Sequence, residues 1–230
     1  MARRVLVTGA AGGLGRSIAD LFEAEGDHVV GLDLCSPADA SFPFVECDLA
    51  DPAAIAATLD AIELRHGPLD VLVNNAAYCG QTSFFDLTAD EINRTLAINV
   101  TATLLLCQGF IAQRRRAGSG GAIVNIASFA GRRGSSQIEY GASKAGVINL
   151  TVTMARLVAK EGIRVNAVAP ALVDAGMGDR LSDTVRTGFL STTPIGRAAA
   201  PAEVANVVFF LASDKASYVS GETIDVFGAL

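Results

Sequence analysis

Short runs of apolar residues alternate along this chain with longer segments whose apolar positions recur at helical spacing. The short runs are rich in valine and isoleucine and predict strands over residues 5–8, 28–34, 44–48, 71–74, 121–127, 164–169 and 223–226. The longer segments predict helices over residues 14–25, 52–65, 88–116, 137–161 and 201–211. No internal repeat or linker of low complexity interrupts the alternation.

Strands that are apolar along their length and alternate with helices are typical of a parallel sheet covered on both faces. The pattern therefore predicts an α/β fold: a single doubly wound, Rossmann-type domain over residues 1–230 with a seven-stranded, mostly parallel sheet. Ligands bind such sheets at the carboxyl ends of the strands, where the strand order reverses. Residues 174–197, rich in Gly, Ser, Thr and Asp, are interpreted as a small lid over the substrate pocket.

Composition narrows the class of protein. Half of the 230 residues are apolar and 18% are charged, which predicts a compact globular chain. The net charge of −6 argues against nucleic-acid partners and anionic membrane surfaces. The basic run 114–116 precedes glycines and fits the last turn of a helix. No window approaches 18 consecutive apolar residues, and the apolar run after Arg3 and Arg4 is too short for a signal segment, so a cytoplasmic location is expected.

The four cysteines are scattered without a Cys-x-x-Cys pair, and the chain has two histidines. A zinc or iron–sulfur site is therefore not expected, and no metal ligand is assigned. Free buried thiols are the simplest expectation for all four, at positions 35, 47, 79 and 107. Cys79 follows a predicted strand and is also a candidate for lining a pocket.

Glycines cluster between a predicted strand and a predicted helix. Residues 8–15 read Thr-Gly-Ala-Ala-Gly-Gly-Leu-Gly, and Gly9, Gly13 and Gly15 would let the backbone approach a pyrophosphate at the helix amino terminus. The spacing is not the G-x-G-x-x-G form, and a merely tight turn is the alternative. Asp33, twenty residues after Gly13, is placed to accept hydrogen bonds from ribose hydroxyls and to repel a 2′-phosphate, which favours NAD over NADP. A solvated strand-end carboxylate is the alternative for Asp33.

Several motifs in this order resemble those of the short-chain dehydrogenase/reductase family, and the resemblance covers essentially the whole chain. Residues 8–15 resemble the family's cofactor turn, and residues 74–77, Asn-Asn-Ala-Ala, resemble its Asn-Asn-Ala-Gly motif. Ser128, Tyr140 and Lys144 are similar to its catalytic set, and Asn99 matches the fourth catalytic position. The resemblance implies a nicotinamide-dependent oxidoreductase that forms a homo-oligomer, usually a tetramer.

The resemblance also implies roles along the cofactor. Asp48 and Leu49 match the pair beside the adenine, and Pro170 matches the proline near the nicotinamide. In the family, the asparagine at the position of Asn99 holds a water that links the lysine to a proton-relay chain. The implied cofactor-binding residues are Gly9, Gly13, Leu14, Gly15, Asp33, Leu34, Asp48, Leu49, Asn75, Ala76, Tyr140, Lys144, Pro170 and Val173.

The chemistry of the catalytic set can be argued from spacing. Tyr140 and Lys144 are four apart in a helical pattern, so both side chains lie on one helix face. Alone they would suggest a surface pair, Asn99 a structural amide and Ser128 a turn residue; together they favour catalysis. A tyrosine base near neutral pH needs its pKa lowered from about 10 by about 2 to 3. Lys144 and oxidised nicotinamide are the expected cause, and Ser128 would bind the substrate oxygen.

The chain departs from the family pattern at several positions. Ala77 and Ala171 replace usual glycines, and Ala175 replaces a threonine that contacts the cofactor in many members. Residues 35–43 are too few for the crossover helix that many members have. Residues 226–229 read Val-Phe-Gly-Ala in place of Val-Asp-Gly-Gly, so Phe227 is expected to alter subunit packing.

The leading function is hydride transfer between NAD and a secondary alcohol or ketone on a small, cyclic or polyol-type substrate. The alternatives are a non-catalytic NAD-binding regulator and a 3-oxoacyl-thioester reductase using NADP. An epimerase or dehydratase of the related extended group would need more residues after Pro170. The residues expected to shape the pocket with the lid carry no Arg or Lys cluster for a phosphate or coenzyme A: Tyr78, Cys79, Phe129, Ala130 and Gln137.

Overall fold

The computed structural model describes residues 2–178 and 181–229, and its seven strands form one parallel sheet. The strands are β1 (Arg4–Thr8), β2 (His28–Asp33), β3 (Phe44–Glu46), β4 (Val71–Asn74), β5 (Gly121–Ile126), β6 (Ile163–Pro170) and β7 (Thr223–Val226). Their spatial order is β3-β2-β1-β4-β5-β6-β7. Because the order reverses between β1 and β4, the crevice for a ligand opens at the carboxyl ends of these two strands.

Helices cover both faces of the sheet. They are α1 (Gly13–Ala24), α2 (Pro52–His66), α3 (Ala89–Leu96), α4 (Ala102–Ala117), α5 (Ala130–Arg133), α6 (Ile138–Val158), α7 (Asp183–Thr192) and α8 (Pro201–Ala212). The predicted doubly wound α/β fold is confirmed, and every predicted strand matches an observed one within two residues. The short helices α5 and α7 were not predicted. No helix joins β2 to β3, as the short segment 35–43 predicted.

The alternation of side chains along each strand divides the core into two layers. Val5 and Val7 of β1 face the layer that α1 and α8 complete, whereas Leu6 faces the layer built with α2, α4 and α6. All three side chains are fully buried. The sequence of β1 is continuously apolar because this strand is buried on both faces of the sheet.

One long helical segment carries an irregularity that the hydrophobic pattern missed. It begins at Thr88, whose hydroxyl and Glu91 form a reciprocal capping box, and it runs through α3 and α4. Between these helices, Ala97–Thr101 forms a π-helical turn, with the N–H of Ala102 bonded to the carbonyl of Ala97. The turn adds one residue to the helix at the level of the buried Asn99.

The continuous segment Ala89–Ala117 is long and apolar enough to cross a membrane by length and composition alone. Core helices of globular proteins meet the same criterion. Here α4 packs against α2 and contributes Leu106, Cys107 and Phe110 to the core.

The basic run at the end of α4 is engaged within the fold. The buried Arg114 guanidinium binds the Asp70 carboxylate at 2.8 Å and the Leu69 carbonyl at 2.7 Å. Arg115 pairs with Glu161, and Arg116 pairs with Glu63. The three arginines therefore have structural roles at the end of α4.

The cysteines divide by location. Cys47 and Cys107 are buried free thiols, and Cys79 is partly buried. The expectation of burial is wrong for Cys35, which is exposed because it lies in the helix-free segment after β2. Within the described ranges, no group of three or more His, Cys, Asp or Glu side chains is placed to hold a metal ion.

Candidate active site

The carboxyl ends of β1 and β4 are tied together by side chains of the predicted cofactor motifs. The Thr8 hydroxyl accepts hydrogen bonds from the backbone N–H groups of Asn75 and Ala76, both at 3.0 Å. The Asn75 amide donates to the Thr8 carbonyl at 2.9 Å. The Asn-Asn-Ala-Ala segment therefore braces the glycine turn from the neighbouring strand.

The glycine turn has the shape that a dinucleotide pyrophosphate requires. Gly9 and Gly13 have positive φ angles of 67° and 54°. A Cβ atom at Gly15 would lie 2.0 Å from the Gly9 carbonyl oxygen, so only glycine permits this packing. Helix α1 has Gly12 as its N-cap, no side-chain cap and no acidic residue in its first turn. Its amino terminus therefore fits an anionic ligand, and Leu14 anchors the turn in the core.

Two carboxylates border the place where the adenosine ribose of a dinucleotide would lie. Asp33 accepts hydrogen bonds from the N–H groups of Ala11, at 2.9 Å, and Leu34, at 2.7 Å. Glu46 is the register partner of Asp33 on β3 and accepts a hydrogen bond from the Ser36 N–H at 3.2 Å. The sequence analysis missed Glu46, although parallel pairing of the two strand ends would have placed it beside Asp33. The Leu34 side chain is exposed.

The remaining predicted cofactor residues follow the same edge of the sheet. Asp48 shapes the entry to α2 by accepting a hydrogen bond from the Ala50 N–H at 2.9 Å, and Leu49 is buried. On the other side of the crevice, the Pro170 carbonyl accepts from the Phe129 N–H at 2.8 Å. Val173 is partly buried and forms an isolated bridge with Ala199. Within the described part of the chain, the Asp48 carboxylate makes no hydrogen bond to the glycine turn.

Ser128, Tyr140 and Lys144 come together where β5 ends. Ser128 accepts a hydrogen bond from the Ala130 N–H at 3.1 Å, and its side chain also hydrogen bonds to Tyr140. The Lys144 ammonium nitrogen donates to the Ile126 carbonyl at 2.6 Å and lies 5.8 Å from the centroid of the Tyr140 ring. The spacing of four residues on α6 therefore brings the lysine and the tyrosine together near the end of β5.

Burial shifts the two ionisable groups in opposite directions on the pH scale. It raises the pKa of Tyr140 to about 12, although the hydrogen bond to Ser128 opposes the shift. It lowers the pKa of Lys144 to about 8. The protein's own groups therefore do not lower the pKa of Tyr140 below its ordinary value, because burial is the largest cause of the shift. The expected effect of Lys144 together with oxidised nicotinamide stays a prediction. At neutral pH both groups carry their protons.

Asn99 occupies the π-helical turn and is 1% exposed. Its side-chain oxygen accepts from the Tyr78 N–H at 2.7 Å, and its amide donates to the Tyr78 carbonyl at 2.8 Å and to the Ser143 hydroxyl at 2.9 Å. Both amide hydrogens are thus engaged by protein groups. The side chain thus fixes the loop after β4 against α6, and the expected water-holding role of Asn99 stays a prediction.

An aromatic cluster closes the side of the site beneath the lid. The rings of Phe227 and Phe189 lie 5.0 and 5.7 Å from that of Phe129, the residue after Ser128. Phe227 is 7% exposed, so it packs within the subunit, and the expectation of a subunit contact is corrected. Of the predicted lid, 174–197, the structure shows α7 held by an Arg186–Asp174 ion pair at 2.6 Å. Asp179 and Arg180 lie outside the described residues.

A family profile described as enoyl-(acyl carrier protein) reductase matches residues 9–228. The chain belongs to the short-chain dehydrogenase/reductase family. As a member it is an oxidoreductase, and the family binds NAD or NADP. The glycine turn, the free helix amino terminus and the strand-end carboxylate fit that dinucleotide.

Curated relatives extend over nearly the whole chain. The 3-oxoacyl-(acyl-carrier-protein) reductase FabG of Escherichia coli is 35% identical over 234 residues, covering 98% of this chain and 96% of its own length. The corresponding reductase MabA of Mycobacterium tuberculosis is 36% identical over 231 residues, covering 100% and 93%. A solved short-chain dehydrogenase/reductase structure, the ligand-free aldohexose dehydrogenase of Thermoplasma acidophilum, is 31% identical with a TM-score of 0.88, covering 100% of this chain and 94% of that chain.

The departures from the short-chain dehydrogenase/reductase pattern lie around the glycine turn and the lid. A Cβ atom at Gly13 would lie 3.1 Å from the Cα of Gly176, so the segment that contains Ala175 packs directly against the turn. Ala171 donates its N–H to the Val226 carbonyl at 3.0 Å. Nothing in the structure explains why alanine stands at position 77.

Proposed function

We propose that this chain is an NAD-dependent oxidoreductase that interconverts a secondary alcohol and a ketone on a small, cyclic or polyol-type substrate. The observation that carries the proposal is the convergence of Ser128, Tyr140 and Lys144 near the carboxyl end of β5, at the same edge of the sheet as the glycine turn. A non-catalytic NAD-binding regulator would need no such group of proton donors. The activity of the Thermoplasma neighbour, an aldohexose dehydrogenase, supports a polyol-type substrate.

Each residue has a distinct task in this proposal. Bound nicotinamide supplies or accepts the hydride. Ser128 donates a hydrogen bond to the reacting oxygen, and Tyr140 transfers the proton to or from that oxygen. With its pKa raised to about 12, Tyr140 is protonated at neutral pH and is suited to donating its proton during ketone reduction. The Lys144 ammonium stabilises negative charge developing at Tyr140, and Asn99 is a positioning residue.

The tyrosine assignment is tested by Tyr140→Phe, which removes the transferable proton and retains the ring. We expect unchanged NADH affinity, measured by fluorescence titration, and a kcat at least a hundredfold lower in a spectrophotometric assay. Tyr218→Phe is the matched control because Tyr218 is fully exposed. Unchanged turnover in Tyr140→Phe would contradict the assignment.

The preference for NAD rests on the Asp33 and Glu46 carboxylates, which both face the segment after β2. A third phosphate on the ribose would meet negative charge there. We expect kcat/KM for NADH to exceed that for NADPH by at least tenfold at moderate salt. A wild-type preference for NADPH would reverse this assignment and would favour the second candidate function.

The second candidate is a 3-oxoacyl-thioester reductase, which the similarity to the 3-oxoacyl-(acyl-carrier-protein) reductases FabG and MabA favours. A panel of ketoses, cyclic hydroxyketones and acetoacetyl thioesters distinguishes the two functions by the rate of NADH and NADPH oxidation. If kcat/KM is highest on the acetoacetyl thioester, the second candidate, a 3-oxoacyl-thioester reductase, is favoured. No turnover on the whole panel would favour the regulator.

We further propose a cytoplasmic homotetramer. Its support is the exposure of Leu104 on α4 and Leu157 on α6, at 39% and 71%. Apolar side chains on two long helices suit a subunit interface. Analytical ultracentrifugation would show a species of four chains if the proposal is correct and a monomer if it is not.

A further inference from the structure

Glu139 is a buried carboxylate for which the catalytic scheme above has no use. It lies in the first turn of α6, immediately before Tyr140, and is 6% exposed. Among the residues that the structure describes, no donor hydrogen bonds to its carboxylate, and no cation lies within ion-pair distance of it. Buried carboxylates are normally paired or hydrogen bonded, so an acid without a donor requires an explanation.

The carboxylate faces the loop that follows β4. Its Oε1 lies 3.6 Å from the position that a Cβ atom would take at Gly80. The carboxylate oxygens are not fully enclosed: neither has a hydrogen-bond donor among the described residues, yet both keep some solvent-accessible surface. They therefore border open space, between the loop after β4 and the amino terminus of α6.

Cys79 connects this space to the catalytic residues. The Glu139 charge raises the pKa of the Cys79 thiol and the Lys144 charge lowers it, so the thiol lies within reach of both groups. Burial is the larger cause and brings the thiol pKa to about 11, which keeps Cys79 neutral. Glu139 and Lys144 are thus two opposite charges on α6 within reach of the same thiol.

The cation packed on the same loop does not neutralise the carboxylate. The Arg94 guanidinium lies on the Tyr78 ring, 4.7 Å from its centroid, and makes no ion pair within the described part of the chain. A substrate that brings its own hydrogen-bond donor would supply the missing partner. A substrate that brings a carboxylate to the same place would meet like charge.

We propose that Glu139 is a specificity-determining residue that accepts a hydrogen bond from a hydroxyl group on the carbon next to the reacting carbon. The inference rests on the proposed function and narrows its substrate class to vicinal diols and the matching hydroxyketones. Ser128 and Tyr140 hold the reacting oxygen, and Glu139 holds the neighbouring one. Simple alcohols and 2-carboxylated alcohols are disfavoured.

The test compares trans-cyclohexane-1,2-diol, cyclohexanol and trans-2-hydroxycyclohexanecarboxylate in the wild type and Glu139→Gln. Calorimetry gives the Kd of each compound for the enzyme–NAD complex, and NADH absorbance gives kcat/KM. In the wild type we expect the diol to bind at least tenfold more tightly than cyclohexanol, because hydrogen bonds to charged groups are the strong ones. In Glu139→Gln this ratio should fall below about threefold, with cyclohexanol unchanged and the carboxylate binding more tightly.

Two further variants separate recognition from folding. Glu222→Gln removes an exposed carboxylate elsewhere on the chain and should leave every ratio unchanged. Glu139→Asp keeps the charge and should retain a preference for the diol. A wild type that binds the diol no better than cyclohexanol, or a ratio that Glu139→Gln does not alter, overturns the proposal. Selective diol binding without NADH formation from any compound would instead overturn the proposed function and leave the Glu139 assignment standing.

Discussion

Replacing Lys144 with methionine should abolish activity and make the folded chain more stable. Lys144 is 2% exposed, and burial lowers its pKa from the ordinary 10.5 to about 8. At about 1.4 kcal/mol per pKa step, this difference corresponds to about 3 kcal/mol of unfavourable free energy while the folded lysine is charged. Methionine fills a similar volume without a charge.

One lost contact reduces the gain in stability that Lys144→Met is expected to give. The Lys144 ammonium donates to the Ile126 carbonyl at 2.6 Å, and losing that hydrogen bond costs about 1 kcal/mol. Lys144→Met should therefore raise the free energy of unfolding at pH 7 by about 2 kcal/mol. For a chain of this size, the rise in Tm would be about 4 to 8 °C.

The pH dependence identifies the cause. The unfolded lysine keeps its proton up to about pH 10.5, whereas the folded one releases it near pH 8. Between these values the unfolded state binds more protons, so wild-type stability from this group increases with pH and the gap to Lys144→Met narrows. Urea unfolding at pH 7, 9 and 10.5 measures the gap, with the exposed Lys160→Met as the matched control. A variant less stable than the wild type at pH 7, or a gap independent of pH, would refute the reasoning.

Two further substitutions probe the cofactor site. Asp33→Ala removes one of the two carboxylates at the expected ribose position. The ratio of kcat/KM for NADPH to kcat/KM for NADH should therefore increase at least tenfold. An unchanged ratio would contradict the role of Asp33. Gly15→Ala places a Cβ atom 2.0 Å from the Gly9 carbonyl oxygen and should weaken NADH binding at least tenfold by fluorescence titration. Gly12→Ala is its control, because a Cβ there meets nothing within 4 Å; equal affinities in the two variants would refute the steric argument.

The strands and the main candidate catalytic residues were predictable because their signals are local. A buried parallel strand such as β1 needs apolar side chains on both faces, so its pattern is visible in four or five residues. Tyr140 and Lys144 share a helix face by spacing alone. Ser128 follows a predicted strand, and parallel strands end at one edge of the sheet.

The remaining features depend on contacts between distant segments. Glu46 becomes part of the site only through the register of β2 with β3, and Glu139 only because the loop after β4 covers it. The raised pKa of Tyr140 follows from burial, which spacing does not reveal. Phe227 packs against Phe129, the residue after Ser128, because β7 pairs with β6.

The π-helical turn between α3 and α4 has a consequence for how the chain tolerates changes in length. Removing one residue from Ala97–Thr101 would restore regular α-helical geometry and leave α4 in the same phase relative to α3, because the wide turn accommodates its extra residue locally. The buried side of α4 would keep its place in the core, whereas Asn99 would lose its alignment with the Tyr78 backbone. The extra residue thus serves the candidate active site rather than the core, so its deletion should cost activity more than stability.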